Sequence, residues 1–337
     1  MMLRTEYAEE QFILMDRITK IKSIINKYGE ENFYIAFSGG KDSTVLSALI
    51  DLAVPDNKIP RVYANTGIEL NMVRDHVFDL AKTDDRIKII SPSVPVKPML
   101  EKDGYPFKSK NHARLVDRFY RKGMLPSIHS YLGEGSWGPR QQCPKTLRYQ
   151  FNEEFSKRLH LSDACCLRMK EEPLTEWSKE NDRPYGINGI MCAEGGRRST
   201  AVCTVFKNKK LSMFQPLSVV TKDWEDWFIK EYNVNICPIY LPPYNFERTG
   251  CKGCPFALHL EKELDTLETF FPDERKQCEI IWGPVYDEYR RLGYRLKKKD
   301  ACNAQEPVSD EIQEPNSMMF VAERIDVKYK QMTVFDY

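Results

Sequence analysis

Ser38-Gly39-Gly40-Lys41-Asp42-Ser43 is the stretch that decides the fold. Before it lies the apolar run Phe33-Tyr34-Ile35-Ala36-Phe37, which reads as a buried strand. After it, Thr44-Val45-Leu46-Ser47-Ala48-Leu49-Ile50 reads as a helix. A strand, a glycine turn and a helix N-terminus make an anion site. Two glycines let backbone N–H groups point inward, the helix end adds partial positive charge, and Lys41 adds a full one. The hydroxyls of Ser38, Ser43 and Thr44 are donors for phosphate oxygens, and Asp42 is placed to help hold Mg²⁺. The stretch is not a Walker A loop, because the chain has no G-x-x-x-x-G-K-[ST].

Working outward, strand signals recur at Tyr34–Phe37, Arg61–Ala64 and Ile87–Ile90, with helical patterns at Thr44–Leu52 and Glu69–Lys82 between them. This βαβαβ order predicts an α/β fold with a doubly wound, mainly parallel sheet. Ligands of such sheets sit at the carboxyl ends of the strands, where both Ser38–Ser43 and Asn65-Thr66-Gly67 fall. Residues 1–30 read as an N-terminal amphipathic helix, with Phe12, Ile13, Ile18, Ile21, Ile24 and Ile25 at helical spacing and Gly29 past its end. Residues 31–262 form the expected main domain, with a helical, substrate-covering insertion at about 92–140. A further strand is expected at Tyr185–Ile190 and a helix at Asp223–Tyr232. Residues 263–300 are a helical extension, with Leu264–Arg291 helical and broken at Pro272, and 301–337 a polar tail. With 50 Lys and Arg against 49 Asp and Glu, net charge gives no global case for nucleic acid or membrane binding. The basic runs at Lys207–Lys210 and Lys297–Lys299 read as solvated faces. No run approaches the ~20 apolar residues of a membrane span, and no signal-peptide layout is present, so a cytoplasmic protein with no membrane partner is expected.

Ten cysteines in a reducing compartment point to metal binding or reactive thiols rather than disulfides. Cys165 and Cys166 are adjacent, and Cys251 and Cys254 form a C-x-x-C 85 positions beyond Cys166. Four thiolates can hold a [4Fe–4S] cluster or a tetrahedral Zn²⁺. A tandem pair is awkward for zinc, since neighbouring side chains on a helix diverge by about 100°. A cubane, with irons at separate corners, tolerates that divergence better. Two unrelated buried pairs are the plain alternative. Arg168, Lys170 and Lys252 lie beside these cysteines in sequence and would offset cluster charge.

The order S-G-G-K-D-S resembles the PP-loop of the ATP pyrophosphatase superfamily, which includes sulfonucleotide reductases, tRNA thiolation enzymes and DNA-phosphorothioation sulfurtransferases. Cys165-Cys166-Leu167-Arg168-Met169-Lys170-Glu171-Glu172-Pro173-Leu174, then Gly250-Cys251-Lys252-Gly253-Cys254, resembles the C-C-x-x-R-K-x-x-P-L…G-C-x-x-C cluster signature of the adenylyl-sulfate (PAPS) reductase family, with slightly different Arg/Lys spacing. Pro216-Leu217, Trp224 and Pro238-Ile239-Tyr240 fit the same run. Gly195-Gly196-Arg197-Arg198-Ser199 is similar to that family's Arg-rich loop, and Asn65-Thr66-Gly67 to its D-T-G with Asn for Asp. The resemblance covers roughly residues 30 to 260. It implies an adenine nucleotide alpha hydrolase-like, Rossmann-like fold and an enzyme that binds ATP or adenylyl sulfate with Mg²⁺. It implies a nucleotide site of Ser38, Gly39, Gly40, Lys41, Asp42, Ser43, Thr44, Thr66 and Gly67, with Arg197 and Arg198 clamping the substrate. It also implies a [4Fe–4S] cluster on Cys165, Cys166, Cys251 and Cys254.

Reductases of this type carry a nucleophilic Cys near the C-terminus, and here no Cys follows Cys302. Sulfur transfer to an adenylated acceptor is therefore the expected reaction, served by a sulfur donor such as a cysteine desulfurase, or by a reductant. Sulfite formation from adenylyl sulfate and a non-catalytic nucleotide and iron–sulfur regulator are the alternatives. Arg140-Gln141-Gln142-Cys143-Pro144-Lys145 loosely resembles the R-W-C-T stretch of the sulfurtransferases. There Cys143 reads either as a persulfide carrier of lowered pKa or as a structural thiol. Cys192, Cys203, Cys237 and Cys278 read as core, with Cys192 bordering the arginine loop. His112, His129 and His259 carry no assigned role. Gln331-Met332-Thr333-Val334-Phe335 resembles the peptide that docks on DNA sliding clamps, against the alternative of a plain terminal strand.

Overall fold

In the computed structural model the strand signals become β1 (Phe33–Ala36), β2 (Arg61–Ala64) and β3 (Ile87–Ile90). The structure describes residues 3–298. The tail from 299, with Cys302 and Gln331–Phe335, lies outside the described residues, as does the side chain of Arg197. The first half alternates as its pattern requires: α1 (Leu3–Tyr28), α2 (Lys41–Ala53) and α3 (Asn71–Ala81) separate or precede the three strands. The insertion is helical, with α4 (Val96–Asp103), α5 (Lys110–Lys122) and α6 (Pro126–Leu132). Then come α7 (Glu153–Arg158) and α8 (Ala164–Cys166), which runs through a π-helical turn, Leu167–Glu171, into α9 (Glu172–Glu180). The expected strand at 185–190 is β4 (Tyr185–Ile187), shorter by three residues.

A hairpin that the sequence pattern does not announce follows, β5 (Thr204–Lys207) and β6 (Lys210–Phe214). Its turn is Asn208-Lys209, both left-handed at φ 50° and 63°, the geometry of a two-residue hairpin loop. The basic run 207–210 is thus a turn and not merely a solvated face. The chain ends its described part with α10 (Lys222–Glu231), α11 (Leu260–Phe270) and α12 (Pro272–Leu292). The break expected at Pro272 is present, with Pro272 opening α12, where its missing N–H costs nothing.

The six strands lie in the order β3-β2-β1-β4-β6-β5. All neighbours are parallel except β5 on β6. The fold is a doubly wound, mainly parallel α/β sheet. From β1 the chain winds outward to β2 and β3, then returns for β4 on the other side of β1. The loops after β1 and β4 therefore diverge around one crevice, where this architecture binds ligands.

Two apolar cores support that crevice. In one, Leu14, Ile21 and Ile25 of α1, Val45 and Leu49 of α2, and Trp224 and Phe228 of α10 pack with the strand residues Phe33, Ile35 and Phe214. Each such aliphatic or aromatic side chain contributes about 1.5–3 kcal/mol when fully buried. In the other, Val73 of α3 joins Leu100, Leu115 and Val116 of the insertion and Leu264 and Trp282 of α11 and α12. The C-terminal helices therefore pack into the body of the fold, and residues up to 298 form one compact unit. Among the described residues no helix is long and apolar enough to cross a membrane.

Candidate functional site

The turn after β1 is built from its glycines. Gly39 has φ 69°, and a Cβ there would stand 2.4 Å from Val77 Cγ2 on α3. Gly40 is the N-cap of α2 and no side chain caps the helix. Instead the Gly40 carbonyl accepts from the Thr44 N–H (3.0 Å), Ser43 Oγ (2.9 Å) and Thr44 Oγ1 (3.0 Å). Ser38 and Ser43 hydroxyls meet at 3.0 Å. Apart from the Tyr240 hydroxyl, which accepts from the Lys41 N–H, the first turn is left without a side-chain acceptor. This is the arrangement that favours an anion.

The loop opens on a cavity of about 170 Å³ lined by Ser38, Gly40, Lys41 and Asp42, and by residues of three other segments. The segment after β4 supplies Met191, Glu194 and Arg198. It approaches closely, since a Cβ on Gly189 would stand 2.9 Å from the Asp42 carbonyl oxygen. From α10 comes Glu225, with Tyr240, Arg248 and Thr249 from the segment before the C-x-x-C. Tyr240 hydrogen-bonds Thr249 through its hydroxyl. Lys41 Nζ pairs with Glu225 (3.2 Å) and Asp226 (2.9 Å). Glu225 is fully buried. Burial, then the neighbouring Asp42 carboxylate, pushes its carboxyl up to about 7. Burial, then the charge of Glu194, raises Asp42 as well. Two carboxylates thus share this wall with the lysine. Glu194 binds Arg198 and lies 3.7 Å from Arg248.

The cysteines gather elsewhere, on the second core. A bridge joins Glu69 to Cys251 in antiparallel register, and the Lys252 N–H donates to the Ile68 carbonyl (2.7 Å). On its other side α12 clamps the same loop. Trp282 Nε1 donates to the Lys252 carbonyl (2.9 Å), the Tyr286 hydroxyl to that of Gly253, and the Tyr289 hydroxyl to that of Pro255 (2.8 Å). Gly253 is left-handed at φ 59°, and its missing Cβ is what lets Tyr286 and Cys278 close in. Cys165, at the start of α8, feels the charges of Cys166, Cys254 and Cys251. The hydrogen bond with Cys165, then the Lys110 and Lys170 ammonium groups, pull Cys166 down to about 6 against its burial. Burial pushes Cys251 up to about 11 and raises Cys254 further. Among the described residues no group of three or more His, Cys, Asp or Glu side chains is arranged to hold a metal ion as it stands.

No protein-family model matches the chain, and no curated protein sequence matches it. Solved structures do resemble it. A phosphoadenylyl-sulfate reductase from Candida auris, in a phosphate complex, is 12% identical, with 69% of this chain and 93% of that one covered and a TM-score of 0.38. The U34-tRNA thiolase of Methanococcus maripaludis, solved with its [4Fe-4S] cluster, is 14% identical, with 87% and 82% covered and a TM-score of 0.36. An NH3-dependent NAD synthetase from Campylobacter jejuni is 12% identical, with 86% and 99% covered and a TM-score of 0.36.

The structure brings Lys41, Asp42 and Arg198 to one cavity that Thr66 does not line, its N–H and hydroxyl both binding the Glu69 carboxylate. Thr66 and Gly67 do not line the loop cavity and instead border the cysteine loop. Of the cations expected at the cysteines, Lys170 is there, 3.6 Å from Glu69 and beside Cys251. Arg168 instead pairs with Asp103 and Glu172, and Lys252 is buried in an ion pair with Glu274 (3.2 Å). Lys110 takes the place expected for them, against Cys166. Cys143 is buried under Tyr131 and Lys108, and burial pushes its thiol up to about 11, the reverse of what the persulfide-carrier reading needs and in line with the alternative of a structural thiol. Burial outweighs Lys108 and Arg148, the nearest cations acting on it. Cys237 and Cys278 are buried, while Cys192 and Cys203 are half-buried. Glu225 and Thr249 join the site without any motif that marks them in the sequence, while Tyr240 comes from the Pro238-Ile239-Tyr240 run. A usable signal is Glu225 itself, one residue from Trp224 and three from Phe228 on a helix whose apolar face must be buried.

Proposed function

We propose that this protein is a PP-loop enzyme that binds ATP or an adenylyl-sulfate-type nucleotide over Ser38–Ser43 and adenylates an acceptor for sulfur transfer. The observation that carries the reading is the start of α2 at the β1/β4 switch point, where no side chain of the N-cap residue caps the helix, with Lys41 and Arg198 both lining the cavity. Neutralising and positioning a polyphosphate is what such chemistry needs. An acceptor oxygen attacks the α-phosphorus of ATP, the α–β bond breaks, and pyrophosphate leaves. A sulfur nucleophile then attacks the activated atom and AMP departs with the oxygen. Asp42 and Glu225 would hold Mg²⁺, which usually takes one or two carboxylates together with substrate phosphates. Their raised pKa values fit, because a cation relieves the repulsion that burial amplifies.

Cys165, Cys166, Cys251 and Cys254 would hold a [4Fe–4S] cluster, with Lys110 and Lys170 offsetting its charge. The donor set, four mutually interacting thiols, fits that group, and loading would re-aim them. When bound by all four cysteines, the cluster would supply electron-transfer chemistry. A cysteine desulfurase or a reductant is the donor this scheme calls for.

The test is anaerobic incubation with ATP and Mg²⁺, following pyrophosphate. Release that falls roughly 100-fold in Lys41→Ala supports the reading, the scale of losing one preorganised charge contact. Turnover of adenylyl sulfate to sulfite, with no pyrophosphate from ATP under any acceptor condition, would overturn it.

A further inference from the structure

A second cavity, of about 470 Å³, lies on the insertion and shares no lining residue with the loop cavity. We infer that it is a separate site for an aromatic ring carrying a phosphate, the chemistry of a nucleoside monophosphate. Its charged lining residues are Lys108 and Arg140, both cationic, and no carboxylate lines it. Among the described residues neither cation forms an ion pair with a carboxylate. Lys108 is half-buried and sits in the left-handed region at φ 57°, unusual for a residue with a Cβ. The geometry is enforced: the Lys108 N–H donates to the Tyr289 hydroxyl (2.7 Å), which in turn donates to Pro255. Strain of this kind persists only where the surroundings over-determine it.

A buried chain of hydrogen bonds sets the direction of the lysine. Gln150 Oε1 accepts from His112 Nε2 (2.6 Å), so His112 Nδ1 is the acceptor for the Tyr131 hydroxyl (2.9 Å). The Tyr131 oxygen is then free to accept from Lys108 Nζ (3.2 Å). An unneutralised ammonium is thereby held at the cavity by a neutral oxygen, leaving its charge for a ligand. The aromatic half of the ligand is called for by Trp137. Its ring meets Tyr131 at 72° with centroids 6.1 Å apart, so the two are not stacked face to face. Asn111 and Gln141 add amide donors and acceptors at the rim. The volume falls within the range of small-ligand pockets, roughly 300–1,000 Å³.

The experiment is calorimetric titration of the full chain with adenosine 5′-monophosphate and, separately, with inorganic phosphate. In Lys41→Ala, binding of the nucleotide should persist and should weaken roughly tenfold when Arg140→Ala or Trp137→Leu is added, the loss of about one charged or stacking contact. Phosphate alone should bind more weakly than the nucleotide. Disappearance of nucleotide binding in Lys41→Ala, indifference to both cavity substitutions, or equal affinity for phosphate and nucleotide would each overturn the inference. Arg140 is exposed, so its variant reports on binding even if the Trp137 variant folds poorly.

Discussion

Glu225 is the residue on which the loop cavity turns. It is buried, paired with Lys41 and crowded by Asp42, and its carboxyl titrates at about 7. An unfolded glutamate titrates near 4.3, so between those values the folded chain keeps a proton that the unfolded chain releases. Stability contributed this way is therefore present at low pH and is lost as pH rises through the window from about 4.3 to about 7. Glu225→Gln should remove that dependence. Comparing denaturation at pH 5 and pH 8, the wild type should lose on the order of 2 kcal/mol more than the variant. Parallel pH profiles would mean that the carboxyl is not perturbed. Lys41 is held by the same acidic wall, and its carboxylate partners are what an incoming phosphate must displace.

Among the elements, the segment after β4 meets the start of α2 backbone to backbone. Gly189 lies against the Asp42 backbone, which cannot swing aside as a side chain can. Gly189→Ala should leave a cooperatively folded protein whose pyrophosphate release falls on the order of 100-fold, because a displacement near 1 Å at reacting groups costs that much. Unchanged release with an unchanged melting profile would show that the two segments do not need to meet. This contact also marks how far pattern reading reaches. β1, the glycine turn and α2 are legible because an apolar run, two glycines and a helical pattern all agree there. β4 is three residues shorter than its pattern: Asn188 still donates its N–H to the Phe214 carbonyl, but from Gly189 the chain turns against the start of α2. The hairpin of β5 and β6 is hidden because its turn is Asn-Lys, where glycine usually supplies the left-handed residue. Which cations face the thiols is beyond sequence neighbourhood altogether. Lys110 arrives from 56 positions upstream of Cys166, while Lys252, next to Cys251, points into an ion pair.

Across the whole described molecule, the two apolar cores divide the labour. One carries the sheet and the glycine turn. The other gathers insertion, cysteines and C-terminal helices, and α12 is its organiser, reaching the C-x-x-C loop through Trp282, Tyr286 and Tyr289. The loop's shape is therefore set by packing alone. A side chain on Gly253 would press its first carbon to 2.3 Å from the Tyr286 hydroxyl and 2.8 Å from the Cys278 sulfur, on a backbone already turned the wrong way for it. Gly253→Ala should accordingly cost the iron-free protein about 2 kcal/mol or more in urea denaturation, and an unaltered midpoint would show the loop to be slack. The spacing of the thiol pair is then imposed sterically by two neighbours on a distant helix: the hinge between Cys251 and Cys254 has room for hydrogen and nothing larger.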